Sequence, residues 1–261
     1  MEANTQPELT EQQRLQQQFQ LFQESLPKVS VVPYQLLLNQ IVPLSVSIQN
    51  NLDTSSNETT DEEISTEDLA KSVEQNLTMN PKLMAPSHIL IGELYTSQND
   101  KRQQILNRLS SIGFQIGNKL TELLIFSNNP NLHFDKMDLL TVMKFICRDV
   151  WRQLFGKQID NLKTNHRGTF YLFDYEYKPI QDFALDEQST DKELKMVEPY
   201  LEIPCGVIRG VLASLGFQRE DQVTCHATFV DLPPTKSGSF SCFPKGVSFN
   251  VQIELPQYGD N

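Results

Sequence analysis

The residues able to do chemistry are few and widely spaced. The four histidines are His88, His133, His166 and His226, and no two lie within 30 residues of each other. His226 adjoins Cys225, but neighbours in a strand point to opposite faces, so that pair would not share a metal. His166 sits in a polar run leading into a strand, where a turn residue that hydrogen-bonds locally is expected. The cysteines fall at Cys147, Cys205, Cys225 and Cys242, with no CxxC. The first three lie in apolar or helix-rich context, where a thiol behaves as a small hydrophobe. Cys205 is close to a helix N-terminus, yet buried packing is the expectation there too. Only Cys242, in a loop, reads as exposed. Phosphate-cradling GK[ST] loops, GxGxxG, GxSxG and HExxH are all absent. Acid pairs such as Asp61/Glu62 and Asp182/Asp186 fall in loop-like segments, where solvated charge is the default. The residues therefore point to no catalytic site, no cofactor and no metal.

Composition narrows the class further. The chain has 261 residues, 39% hydrophobic and 21% charged, with a formal charge of -11. That apolar content excludes wholesale disorder. Between Asp53 and Glu74 eight acids face one lysine, so this short stretch carries -7 and the rest only -4. Without a strongly basic segment, nucleic acid is not an expected partner. The longest apolar-rich segment, Val29–Leu52, is interrupted by Pro33, Pro43 and polar residues, and a membrane span is not expected from it. The opening Met1-Glu2-Ala3-Asn4 has no basic region or apolar core of a secretory signal. Sparse cysteines fit a reducing cytosolic setting.

Periodicity supplies the elements. The first segment is glutamine-rich, yet Leu15, Phe19, Phe22 and Leu26 recur at spacings of 4, 3 and 4. That pattern predicts a short amphipathic helix after Thr10, ended by Pro27, within an N-terminal arm of residues 1–28. Val32–Leu52 predicts a helix apolar all round, which needs a second layer or another subunit to cover it. Pro43 should kink it. Residues 53–86 read as a disordered acidic insert with at most a short helix near Glu67–Leu77. Asp100–Phe126 is a strong helix despite Gly113 and Gly117. Those glycines cost about 1 kcal/mol each against alanine, so another backbone should approach there. Asp135 should cap the next helix, which carries Leu140, Met143, Cys147, Val150, Trp151 and Leu154 on one face and stops at Gly156.

From there the period changes to 2. Gly168–Glu176 reads as a strand with Ile180–Leu185 as its hairpin partner. Ile203–Leu215 is a helix with Gly206 and Gly210 one turn apart. Val223–Phe229 and Val247–Ile253 alternate as strands, and Pro233–Pro244 is a long loop. The expected fold is α+β: N-terminal helices, then a four-stranded antiparallel sheet (ββαββ) with helices on one face. One domain over residues 29–256 and a short tail at 257–261 complete the organisation.

Three segments carry a family resemblance: GFQIGNKLTELLI (Gly113–Ile125), VMKFICRDVWRQLFGKQIDNLKTNHRGTFYLFDY (Val142–Tyr175) and IPCGVIRGVLASLGF (Ile203–Phe217). Together they resemble the Bet-three-like subunits of the TRAPP (transport protein particle) complex, from about Val29 to Leu255 outside the acidic insert. The middle segment and the LTEQQR opening (Leu9–Arg14) are most similar to the thirty-three-kilodalton subunit in its fungal form. The resemblance implies a structural subunit of a vesicle-tethering complex that also acts as exchange factor for a Rab-type GTPase between ER and Golgi. It implies a heterodimer with a Bet-three-type subunit, contact with other TRAPP subunits, and membrane contact only through the complex. Bet-three-type subunits carry an acylated cysteine in the loop after the GxxIG helix. Here Ser127–His133 has none, so no acyl chain is expected there.

The resemblance gives the all-apolar helix a cover. Tyr34, Leu37, Leu38, Ile41 and Leu44 are the expected partner interface, and Gly113, Gly117, Gly206 and Gly210 the expected helix-packing glycines. Arg209, charged within an apolar helix, should pair with a buried carboxylate or snorkel outward. The other reading is an apolar-ligand or lipid-binding module, with Phe170, Phe173, Phe229 and Phe249 lining a cavity beneath the sheet.

Overall fold

The computed structural model describes residues 30–58, 87–128, 138–181, 183, 191–217, 222–233 and 243–254, with isolated positions between 13 and 21. Its helices are α1 (Val31–Glu58), α2 (Ser87–Thr96), α3 (Asn99–Asn128), α4 (Leu139–Phe145), α5 (Trp151–Phe155), α6 (Asp191–Val197) and α7 (Glu202–Ser214). The strands are β1 (Asn161–Thr164), β2 (Thr169–Asp174), β3 (Val223–Asp231) and β4 (Lys245–Ile253). They form one antiparallel sheet in the order β1-β2-β4-β3. This is the expected α+β architecture.

Alternation decides which sheet face is covered. The cross-strand row Leu172, Phe249 and Ala227 turns inward with Phe170, Val247, Val251, Ile253, Val223 and Cys225. The row Tyr171, Asn250 and His226 takes the opposite face. Cys225 is buried and His226 exposed, as strand geometry requires. Trp151 fills the space beneath the sheet, 5.1 Å from the Phe249 ring and 4.8 Å from Phe155.

Trp151 reaches that place through a π-helical turn, Ile146–Val150, which joins α4 to α5. The Trp151 N–H bonds the Ile146 carbonyl and skips Cys147. The Cys147 carbonyl accepts instead from the Ile159 N–H at 3.0 Å. The extra residue brings Ile146 into the buried face, a position that a 3.6-residue period leaves outside it. Gly156, at φ 69°, ends α5. Burial pushes the Cys147 thiol up to about 12.

Several expectations need correction. The partner of β2 is β1, on its N-terminal side; Lys178–Ile180 is instead a short 3-10 turn, and residues 182, 184 and 185 lie outside the described residues. β1 was hidden because only Leu162 in Asn-Leu-Lys-Thr is apolar. The β1–β2 turn is held by Asn165, whose Oδ1 accepts from the N–H groups of Arg167 and Thr169. His166 there has φ 57° and donates its N–H to Thr164 Oγ1. Asp138, not Asp135, is the described N-cap of α4, and its side chain accepts from the Thr141 hydroxyl. Helix α1 runs on to Glu58, so residues 53–58 belong to it and not to the acidic insert. The arm's apolar positions, the insert's short helix and Cys242 lie outside the described residues.

Candidate functional site: the outer face of α1

Helix α1 is not apolar-and-buried all round. Val42 and Val46 are fully buried, with Ser45 and Gln49 beside them. A second face carries Leu37, Leu44, Ile48 and Leu52, exposed to 56%, 49%, 39% and 51%. Ile41, half-buried, completes a run at spacings of 4, 3, 4 and 4. At 1.5 Å per residue this stripe is roughly 22 Å long. By length and composition alone, Val31–Thr54 is long and apolar enough to cross a membrane.

Polar bonds hold that helix to the domain. Arg108 on α3 donates to the Ser45 carbonyl at 3.1 Å and to Gln49 Oε1 at 2.9 Å. Gln49 in turn donates to Gln104 Oε1 at 2.8 Å. Asn50 donates to Glu93 on α2, which Lys101 also bonds. Proline supplies another anchor. Pro43 has no N–H, so the carbonyl of Asn39, four residues back, loses its helical partner. Tyr200 donates its hydroxyl to that carbonyl at 2.9 Å. The break in one helix is thereby closed by a side chain from the segment leading into α7.

The five expected interface residues divide between two features. Leu44 lies on the outward stripe. Tyr34, Leu37 and Leu38 line an apolar groove at the N-terminal end of α1, of about 650 Å³, whose other walls are Leu120 of α3, Leu154 and Phe155 of α5, and Pro179. Leu37 belongs to both, and Ile41 packs its inner side on the core. Sequence reasoning left Ile48 and Leu52 out of the interface although they share the period of Leu37 and Leu44. The groove walls on α3 and α5 had no local signal, because tertiary packing brings them there.

The glycines lie at a different contact, the crossing of α3 and α7. A Cβ on Gly113 would stand 2.2 Å from the Ile203 carbonyl oxygen, and one on Gly117 2.3 Å from that of Val207. Reciprocally, Gly206 would meet the Ser110 oxygen at 2.2 Å and Gly210 the Phe114 oxygen at 2.1 Å. Backbone touches backbone from both sides. Arg209 donates across this crossing to the Ser110 hydroxyl, not to a carboxylate. Glu202, raised in pKa by burial, feels the Arg209 charge as an opposing influence.

The residues considered for chemistry do not assemble. Among the described residues, no three of His, Cys, Asp and Glu come together as a metal site. A hydrogen bond with Cys225, together with burial, pushes the Cys205 thiol well up, away from a reactive thiolate. Asp174, fully buried, accepts from Trp151 Nε1 at 2.8 Å, from Lys157 and from the Glu176 N–H, and so ties the strand to α5. Phe170 and Phe173 point to opposite sheet faces, and Phe249 is packed by Trp151 and Tyr177, so the four aromatics proposed for a cavity do not share one.

Human trafficking protein particle complex subunit 6B is 36% identical over 113 residues, covering 43% of this chain and 66% of that protein. The chain thus aligns with just under two thirds of that relative's length. Human subunit 6A is 32% identical over 133 residues, covering 49% of this chain and 78% of that one. A crystal structure of subunit 3 from Naegleria fowleri, covalently bound to palmitic acid, is similar at a TM-score of 0.40 with 18% identity, covering 59% of this chain and 82% of that chain. The family model of the transport protein particle (TRAPP) component matches residues 34–254, and the chain belongs to that family.

Proposed function

We propose that this chain is a non-catalytic structural subunit of the TRAPP vesicle-tethering and Rab guanine-nucleotide-exchange complex, acting in ER-to-Golgi and Golgi traffic. In this reading it is cytoplasmic and peripheral at those membranes, held there by the complex. It is of the thirty-three-kilodalton kind and works by pairing with a Bet-three-type subunit. Contact with the Rab-type GTPase is indirect. One observation carries the reading: a membrane-length apolar helix is pinned to its own domain by Arg108, Gln104 and Tyr200, yet presents a leucine and isoleucine stripe outward. Exposed apolar stripes of that length mark interaction surfaces.

Tyr34, Leu37, Leu38, Ile41 and Leu44 are the proposed contacts, and Ile48 and Leu52 extend them. Stable interfaces bury roughly 1,200–2,000 Å² in total, so the stripe would be the centre of a larger patch. The test is size-exclusion chromatography with light scattering, on this chain alone and co-expressed with a Bet-three-type subunit. A one-to-one complex is expected from the wild type and none from a Leu37→Glu/Leu44→Glu variant. Both positions are about half exposed, so the variant should fold. A variant that pairs at wild-type affinity would overturn the assignment.

A further inference from the structure

The apolar groove at the N-terminal end of α1 is the feature that a role for the outward stripe leaves unexplained. It is walled by Tyr34, Leu37 and Leu38 on α1, Leu120 on α3, and Leu154 and Phe155 on α5, with Ser30 at its edge. Ser30 is also where the chain enters α1. Only Pro27, Lys28 and Val29 separate it from Leu26, the last apolar residue of the glutamine-rich arm. Four residues of extended chain reach about 14 Å at most, so Leu26 is tethered at the mouth of the groove.

The arm has what such a groove needs. Leu15, Phe19, Phe22 and Leu26 fall within a narrow sector of a helix, on a stripe roughly 16 Å long. Gln13, Arg14, Gln17, Gln18 and Leu21 are helical and exposed, and by the 3.6-residue period none of them falls within that stripe. In sequence terms Pro27 disfavours a helix that runs straight on into α1 and disfavours a helical Leu26, which favours a turn between the arm and α1. A two- to five-residue connection is the usual link of an antiparallel helix pair. A tether this short gives the arm a millimolar effective concentration at the groove.

We propose that the N-terminal arm, residues 10–26, folds back and seats Leu15, Phe19, Phe22 and Leu26 in the groove between α1, α3 and α5, as an internal cover for this end of the partner-facing helix. In the chain alone the arm would cover Tyr34, Leu37 and Leu38, which are also proposed partner contacts, so a partner seated there would displace it. The seated arm leaves Leu44, Ile48 and Leu52 open, since they are not among the groove's walls.

The test is hydrogen exchange read by mass spectrometry on the full chain without partner, at two protein concentrations tenfold apart, beside a Phe19→Asp/Phe22→Asp variant. The wild-type arm should exchange about tenfold more slowly than the variant arm, equally at both concentrations. Residues 31–38 and 153–156 should lose protection in the variant. A Leu154→Asp variant, on a groove wall outside the proposed partner contacts, should free the arm in the same way. Arm exchange that is identical in wild type and variants would overturn the proposal. So would protection seen only at the higher concentration, because a second copy would then be the occupant. A co-purified acyl ligand in native mass spectrometry, with the arm unprotected, would give the groove to a lipid and overturn it as well. Failure of the chain to pair with a Bet-three-type subunit would leave all of these readouts unchanged.

Discussion

Two helical surfaces in this protein have the same apolar spacing and opposite designs. At the α3–α7 crossing, four glycines let backbones meet, and an added Cβ at any of them would lie 2.1–2.3 Å from a carbonyl oxygen. On the outer face of α1, Leu37, Leu44, Ile48 and Leu52 stand out with no small residue among them. The first surface is closed, because nothing larger than hydrogen fits. The second keeps long side chains, which can interdigitate with whatever covers them. Residue size at the contact, more than hydrophobicity, separates an internal seam from an outward face.

The sharpest way to break that contrast is to put a methyl group into the seam. Glycine to alanine inside an exposed helix gains about 1 kcal/mol of helix propensity. At Gly210 the sign should reverse, because the Phe114 carbonyl cannot yield as a flexible side chain could. Gly210→Ala should lose about 3 kcal/mol net, read by urea unfolding, as overpacked sites do. Gly92, where a Cβ would meet nothing within 4 Å, is the internal control and should gain stability on the same change. A stabilised Gly210→Ala would mean the seam is looser than the structure has it.

Acidity under the sheet separates the two regions next. Burial raises the Cys147 thiol from 9.0 to about 12, and the Cys205 thiol moves the same way. Unfolding exposes both to ordinary ionisation. A raised folded value means their stabilisation is full below pH 9 and is lost as pH rises, for Cys147 as it climbs toward about 12. The slope is about 1.4 kcal/mol per pH unit for each thiol. Cys147→Ala should flatten stability against pH above 9 by one thiol's share, though it weakens the core at every pH. Denaturant midpoints at pH 8, 9 and 10 would check it, and an unchanged slope would contradict the burial.

How much of this was legible in the sequence follows from the range of each cause. The seam leaves a local trace because glycine is costly in a helix and so demands a reason, and a spacing of four keeps each pair on one face of its helix. The four inward residues of β4 could be read because strand alternation is local. β1 could not, with Leu162 as its only apolar residue, and its pairing depends on the Asn165 turn. The π turn was equally invisible, since a 3.6-residue period assigns Ile146 outside the buried face. The division of α1 into buried and open sides needed Arg108 and Gln104, more than 50 residues away in sequence. The groove needed three separate elements.

Tyr200 tests how firmly the open helix is held at its break. The Asn39 carbonyl, stripped of its helical partner by Pro43, depends on the Tyr200 hydroxyl at 2.9 Å. Tyr200→Phe keeps the ring against Phe183 and removes only that bond. A loss of about 1 kcal/mol is expected, the usual net value of one intramolecular hydrogen bond. The combined Tyr200→Phe/Pro43→Ala variant should recover part of it, because alanine restores an N–H to the Asn39 carbonyl. No coupling between the two changes would show that the hydroxyl does not serve the proline break.

The smallest expected change in stability is the one that most sharpens the contrast. Leu44→Glu alters a side chain already 49% exposed, on the face away from Val42 and Val46. Surface changes of this kind stay within about 0.5 kcal/mol, so thermal and urea midpoints should barely move. Solubility should rise, because a charge interrupts an exposed apolar stripe. The same change at the centre of an interface would bury an unpaired carboxylate and weaken association by a hundredfold or more at about 3 kcal/mol. A fold left intact alongside lost association is the signature of an outward surface. A fall of 3 kcal/mol in the isolated chain would instead place Leu44 under a cover of the chain's own, and α1 would then be a closed helix like α3 and α7.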